Sequence, residues 1–241
     1  MKSKNKQKIY LAIAILLFAI FFLLTAIILT VDVKPIGPND SNVGLATING
    51  SFREVLGTTE SYNELWYNIS ELAGLIPLAT AGCFAIFGLC QAIKRKSLFK
   101  VDSHLFVLAG FYAALLLAYV GFEIIEINFR PVLIEGELEA SYPSSHTMLS
   151  IGIMTTAIFE LHELIKNKKA LLIIFDVACI AVALTVLLGR LLSGVHWLSD
   201  IIAGAILVSA LICLYRYNVL FFQNLKSIKD SNNTKENTVN D

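Results

Sequence analysis

The chain has 241 residues, of which 56% are hydrophobic and only 16% are charged. Soluble globular domains carry about 25% charged residues, so this composition excludes an ordinary soluble domain and indicates that much of the chain lies in lipid. The formal net charge is zero, which argues against a nucleic-acid-binding protein because such proteins present a basic surface.

Uncharged apolar segments of membrane-spanning length recur along the chain. The first follows a basic N-terminus and exceeds the roughly 7–15 apolar residues of a signal peptide, so we expect it to be retained. A helix that crosses a bilayer needs about 20 apolar residues. The sequence therefore predicts an all-α fold, a six-span transmembrane helical bundle within residues 1–222. The predicted spans are 9–31, 70–93, 104–127, 146–165, 170–189 and 196–217.

Two polar segments lie outside these spans. Residues 32–69 contain several turn residues, and we expect them to form an extracytoplasmic loop. Within this loop, residues 44–57 have an amphipathic pattern that predicts a short helix on the membrane surface. Residues 223–241 are strongly polar and are predicted to be a disordered cytoplasmic tail.

The basic residues indicate the orientation of the bundle. Lysine and arginine concentrate in cytoplasmic loops of membrane proteins. Here they concentrate at the N-terminus, at 94–100, at 166–169 and after the last span, which all fall on one side of a six-span bundle. We therefore expect both termini in the cytoplasm. The retained first span, the short loops and the compact design favour a multi-pass protein of a bacterial plasma membrane.

Three polar clusters converge on the opposite, extracytoplasmic face. Arg130 follows the third span, "YPSSH" at 142–146 opens the fourth, and "GRLLSGVHWLSD" at 189–200 joins the fifth to the sixth. His196 and Asp200 are four residues apart, which places them on one face of a helix. A carboxylate in that position can fix the imidazole tautomer and leave the other ring nitrogen free to attack.

The remaining polar residues of this face suit a phosphate group. Arg130 and Arg190 offer planar forks of N–H donors, and a helix that begins near His146 presents backbone N–H groups to an anion. Ser144 and Ser145 add hydroxyl groups. Two histidines, two arginines and one acid match phosphoryl transfer in which one histidine attacks and the other protonates the leaving oxygen.

At these residues the chain resembles the type-2 phosphatidic acid phosphatase superfamily. The family motifs are Lys-x6-Arg-Pro, Pro-Ser-Gly-His and Ser-Arg-x5-His-x3-Asp, and the matching residues here are 130–131, 143–146 and 189–200. The resemblance covers about 123–217 and implies a membrane lipid phosphate or pyrophosphate phosphatase that uses neither a metal nor a cofactor.

The resemblance also implies a role for each site residue. His196 would be the nucleophile, Asp200 its orienting partner, and His146 the acid and then the base that activates water. Further residues would hold the phosphoryl group, namely Arg130, Arg190, Ser144 and Ser145.

One departure from the family pattern reverses a charge, from a lysine to a glutamate. Glu123 stands where the family has lysine, whereas Ser145 for glycine and Gly189 for serine are mild changes. Glu123 is therefore a predicted modulator of the site, and three interpretations are open. It pairs with Arg130 or Arg190, which we favour, it binds a headgroup hydroxyl, or burial keeps it protonated.

Two other functions remain as alternatives. One is a lipid phosphotransferase that passes the phosphoryl group to an acceptor other than water. The other is a catalytically degenerate homologue that binds or moves lipids, an alternative kept open by Glu123. The predicted partners are membrane lipids and a lipid phosphate, such as a polyprenyl pyrophosphate, phosphatidylglycerol phosphate or phosphatidic acid. The sequence leaves the headgroup and the oligomeric state open.

Overall fold

The computed structural model describes residues 2–239 and confirms the predicted all-α fold. Two short 3-10 helices, Pro38–Asp40 and Leu98–Lys100, lie in the connections. The α-helices of the described residues are α1 (Lys2–Thr30), α2 (Ala46–Leu56), α3 (Glu64–Lys94), α4 (Ser103–Ile125), α5 (Ser145–Leu164), α6 (Lys169–Ser193) and α7 (Leu198–Val239).

Five helices, α1, α3, α4, α6 and α7, are long and apolar enough to cross a membrane. Helix α5 corresponds to the remaining predicted span but does not meet that criterion in the described chain. It packs against α3, α4, α6 and α7, and it buries the polar residues Thr147, Ser150, Thr156 and Glu160. A helix enclosed by other helices does not face lipid, so its sequence need not be apolar. The six-span arrangement therefore stays a prediction, with α5 as the central helix.

Close helix packing holds α5 against α7. Buried side chains of α4, α5 and α7 form much of the hydrophobic core. At Gly152 in α5, a Cβ atom would lie 2.9 Å from Cγ2 of Val208 in α7. A small residue here allows the two helices to approach each other closely, as is common in membrane bundles.

Helix α2 docks on the turn between α6 and α7. The Asn49 side-chain amide donates to Oγ of Ser199 at 3.0 Å, and its carbonyl oxygen accepts the Ser199 backbone N–H at 3.2 Å. The Asn63 N–H donates to the Ser193 carbonyl at 2.9 Å. The predicted amphipathic helix is therefore present, but its polar buried face packs on this turn, while Ile48 and Val55 remain exposed.

Replacing Asn49 by alanine tests this docking. We expect the free energy of unfolding to fall by about 1–3 kcal/mol, because the Ser199 N–H would be left buried without a partner. Thermal unfolding of the detergent-solubilised protein measures the change, with exposed Ser51→Ala in the same helix as the control. Equal unfolding temperatures for the two variants would show that the Asn49 contacts do not stabilise the turn.

The end of the chain differs from the prediction of a disordered tail at 223–241. Helix α7 continues as far as Val239, and residues 240 and 241 lie outside the described part. The sequence from 223 to 239 contains neither glycine nor proline, the two residues that most strongly interrupt a helix, so the helix of the last span simply continues.

Candidate functional site

A tight turn presents His196 between α6 and α7. Helix α6 ends at Ser193 and is capped by Gly194, whose φ of +74° is left-handed, a conformation that glycine adopts at little cost. A Cβ atom on Gly194 would also lie 2.6 Å from the side chain of Thr58. The Trp197 indole donates to the Phe129 carbonyl at 2.8 Å, so the turn is fastened to the segment after α4 as well as to the segment after α2.

His196 and Asp200 form a buried pair. His196 is 4% exposed and Asp200 is fully buried, with 3.8 Å between Nδ1 of the imidazole and Oδ2 of the carboxylate. The carboxylate is fixed because Oδ2 accepts the Trp197 N–H at 3.1 Å and Oδ1 accepts the Asn128 amide at 3.3 Å. Asp200 therefore faces one imidazole nitrogen and leaves the other, Nε2, free.

The surroundings of His196 favour the neutral imidazole. Burial lowers its pKa well below the usual value, and the positive charges of Arg130, Arg190 and His146 lower it further. At neutral pH the ring therefore retains the lone pair that a nucleophile needs.

Arg190 is completely buried and binds an acidic residue of α3. Its Nη2 donates to Oε1 of Glu71 at 2.5 Å, and its guanidinium lies 5.3 Å from the centre of the Tyr67 ring. The second oxygen of Glu71 lies 3.5 Å from Nε2 of His146. Sequence reasoning missed Glu71, although an acidic residue inside a predicted span is a functional candidate by default.

Arg130 pairs with Glu139 and not with Glu123. Its Nε lies 3.0 Å from Oε2 of Glu139, and its backbone N–H donates to the Glu139 carbonyl at 2.9 Å. Glu123 is exposed and forms no ion pair within 4.0 Å of Arg130 or Arg190, all three being described residues. The favoured pairing of Glu123 was therefore wrong. The chain turns at Glu126, which has a positive φ, and returns as an antiparallel bridge that brings Glu139 beside Arg130.

The two serines of "PSSH" occupy different positions. Ser144 is fully buried, its N–H donates to the Asp200 carbonyl at 3.0 Å, and its Oγ accepts from Thr147 at 3.0 Å. It therefore ties the start of α5 to the start of α7. Ser145 is partly buried at the first position of α5, where backbone N–H groups have no partner within the helix.

Side-chain nitrogens without a hydrogen-bond partner cluster at this site. Across the described residues, six such buried nitrogens belong to the predicted site. A buried donor or acceptor without a partner lowers the stability by about 1–3 kcal/mol. Several such nitrogens together therefore favour binding of water molecules or of a ligand that carries several oxygens. The six are Arg130 Nε, which lies 3.0 Å from Glu139 Oε2 without hydrogen-bond geometry, His146 Nδ1, Arg190 Nε and Nη1, and His196 Nδ1 and Nε2. Fold and site together indicate a multi-pass membrane protein in which unpartnered side-chain nitrogens gather at one site.

Comparison with known proteins matches part of the chain to a family model. Residues 123–224 match the family model of the PAP2 superfamily. This segment contains both histidines, both arginines and the aspartate of the site, so the resemblance identified from the three motifs is confirmed.

A solved structure supports the fold. The chain is similar to the crystal structure described as the first transmembrane PAP2 type phosphatidylglycerolphosphate phosphatase from Bacillus subtilis, with a TM-score of 0.54 and 21% sequence identity. The similarity covers 88% of this chain and 96% of that one, so the shared fold extends beyond the segment that matches the family model. No curated protein sequence matches the chain significantly.

Proposed function

We propose that the protein is an integral membrane phosphatase that hydrolyses a lipid phosphomonoester or pyrophosphate through a phosphohistidine at His196. The observation that carries the proposal is the cluster of unpartnered nitrogens around the His196–Asp200 pair. A phosphoryl group supplies several oxygens for such donors, and neutral His196 supplies the nucleophile beside them.

In the first step, Nε2 of His196 attacks the phosphorus while the bond from phosphorus to the lipid oxygen breaks. Asp200 stabilises the imidazolium that forms, because its carboxylate lies 3.8 Å from Nδ1. His146 donates a proton to the leaving oxygen. Arg130 and Arg190 stabilise the negative charge on the phosphoryl oxygens.

In the second step, water attacks the phosphohistidine. His146, now neutral, accepts a proton from that water, the bond between phosphorus and Nε2 of His196 breaks, and inorganic phosphate leaves. The proton taken from water restores His146 for the next cycle, so the two steps balance without a metal or a cofactor.

A cavity beside His146 supports a lipid as the substrate. It lies between α3 and α5 and has a volume of about 120 Å³. Its lining includes the polar residues Glu71 and His146 together with Leu75 and Leu78. These two leucines are 59% and 51% exposed on α3. An acyl or prenyl chain can follow these leucines into the bilayer while the phosphate stays at the site, at the extracytoplasmic end of the bundle.

The direct experiment is phosphate release by the detergent-purified protein from a panel of lipid phosphates and pyrophosphates, with and without EDTA. We expect release from at least one lipid, equal in both conditions. Transfer of label to an added alcohol without free phosphate would identify a phosphotransferase. Folded protein that releases no phosphate from any lipid would exclude the phosphatase.

Glu123 provides a test of the degenerate alternative. Its side chain is exposed, where charge interactions are weak and screened. We therefore expect Glu123→Lys to raise kcat/KM for an anionic lipid by no more than about tenfold. Exposed Glu126→Lys, three residues further along, is the control. If kcat/KM of the wild type is near zero and Glu123→Lys raises it by several orders of magnitude, the result would favour a protein whose catalysis has been lost.

A further inference from the structure

We infer that Glu71 is a positioning residue that holds His146 and Arg190 together, so that the site contains a second histidine–carboxylate pair beside His196–Asp200. Glu71 lies outside the matched PAP2 segment and outside the three motifs. The inference rests on the proposed function, because it assigns Glu71 a part in that reaction.

The contacts of Glu71 divide between its two oxygens. Oε1 accepts from Nη2 of Arg190 at 2.5 Å, and Oε2 lies 3.5 Å from Nε2 of His146. Arg190 keeps Nε and Nη1 without partners, and His146 keeps Nδ1 without one. The carboxylate thus binds one nitrogen of each residue and leaves the others for the phosphoryl group and the leaving oxygen.

Close packing of α3 on α6 brings Glu71 to Arg190. At Gly189, a Cβ atom would lie 2.7 Å from Cβ of Ser70 and 3.2 Å from the Trp66 carbonyl oxygen. Gly189 and Ser70 directly precede Arg190 and Glu71 in the chain. The glycine that replaces the serine of the family motif is therefore part of the same contact, because a larger residue would push α3 away from Arg190.

The same helix also faces His146. Gly74 follows Glu71 by three residues, and a Cβ atom there would lie 3.4 Å from Cδ2 of His146. The imidazole consequently rests against α3 with Nε2 toward the carboxylate. The contact with Glu71 orders the imidazole and leaves Nδ1 for the leaving oxygen. A general acid requires a proton donor held in a fixed orientation.

The charges around His146 explain why a carboxylate is needed. Burial opposes its protonation most, Arg190 from α6 and Arg130 from the segment after α4 add to this, and His196 lies near it in the turn before α7. Glu71 from α3 is the carboxylate within ion-pair distance. Glu71 offsets part of these effects and so favours the protonated His146, which gives its proton to the leaving oxygen.

The test is the isosteric Glu71→Gln variant, assayed for phosphate release across pH with the best lipid from the panel. We expect kcat to fall about 10–100-fold, as when a residue that orients a functional histidine is replaced, while KM changes much less. We also expect the alkaline limb of the kcat profile to move to lower pH by about one unit or more, because the protonated His146 loses its carboxylate. Glu71→Asp keeps the charge and should restore the limb. Glu64→Gln, two turns earlier in α3, is the matched control.

The outcomes separate the inference from the proposed function. Unchanged kcat and pH profile in Glu71→Gln would overturn the role of Glu71, as would a loss of thermal stability with an unmoved alkaline limb. If Glu71→Gln does not fold, Glu71→Asp decides. If the alkaline limb of Glu71→Asp lies at the wild-type pH and kcat is reduced, the inference is supported. If this limb is shifted to lower pH, the inference is overturned. A wild type that releases no phosphate would overturn the proposed function and the inference with it.

Discussion

Replacing His196 by alanine is expected to lower kcat by about 10⁴-fold or more, a loss typical of removing a nucleophile. His196 lies in the turn between α6 and α7, where its Nε2 has no partner and its Nδ1 faces Asp200. Alanine removes the atom that forms the bond to phosphorus, and no other described side chain occupies that position. Initial rates of phosphate release measure the effect.

The control for this variant is His162→Ala. His162 lies at the end of α5 far along the helix from His146 and pairs with Asp176 of α6 at 2.9 Å. His162→Ala should retain wild-type turnover, because His162 pairs with Asp176 and takes no part in the proposed reaction. Turnover in His196→Ala within tenfold of wild type, with the protein folded, would contradict a covalent mechanism at His196.

Replacing Arg190 by alanine is expected to lower kcat/KM by about 10²–10³-fold, as for the removal of a donor that stabilises the transition state. Arg190 is fully buried, and its Nε and Nη1 have no partner in the described protein. Alanine would remove these donors and leave Glu71 without its cation. Arg190→Lys should remain impaired, because an ammonium keeps the charge but not the planar fork.

The control for Arg190 is Arg95→Ala. Arg95 ends α3 at the opposite end from Glu71 and binds Asp102 at 2.7 Å on the surface. We expect it to change thermal stability slightly and turnover not at all. Wild-type kinetics in a folded Arg190→Ala protein would show that this arginine does not contact the phosphoryl group.

The helices could be predicted because the physical signal is local. Apolar runs long enough to cross a bilayer mark α1, α3, α4, α6 and α7 directly. Helix α5 could be predicted although its composition is mixed, since residues 146–165 contain no proline. His196 and Asp200 could be paired because both lie in one short segment.

The contacts between distant segments could not be predicted in this way. Glu71 meets Arg190 over 119 residues of sequence, and Asn49 meets Ser199 over 150. Such pairs depend on how α2 and α3 pack against α6 and α7. For Glu123, in contrast, the sequence predicted a contact that the structure lacks. Its motif position favoured pairing with Arg130 or Arg190, whereas the turn at Glu126 brings Glu139 to Arg130.

Two other histidines form structural pairs away from the site. His162 binds Asp176 of α6. His104 forms a hydrogen bond with Glu160, which also accepts from Tyr215 at 2.5 Å. A buried glutamate in α5 thus joins α4 and α7 at the end of the bundle away from His196.

The most direct test of phosphoryl transfer through His196 is to trap the intermediate. The purified protein would be mixed briefly with a lipid substrate carrying a labelled phosphoryl group, quenched in alkali, where phosphohistidine survives, and analysed by peptide mapping. We expect the label on the peptide that contains His196, in wild type and not in His196→Ala. Active protein that never carries label, or that carries it on another residue, would contradict a phosphohistidine at His196.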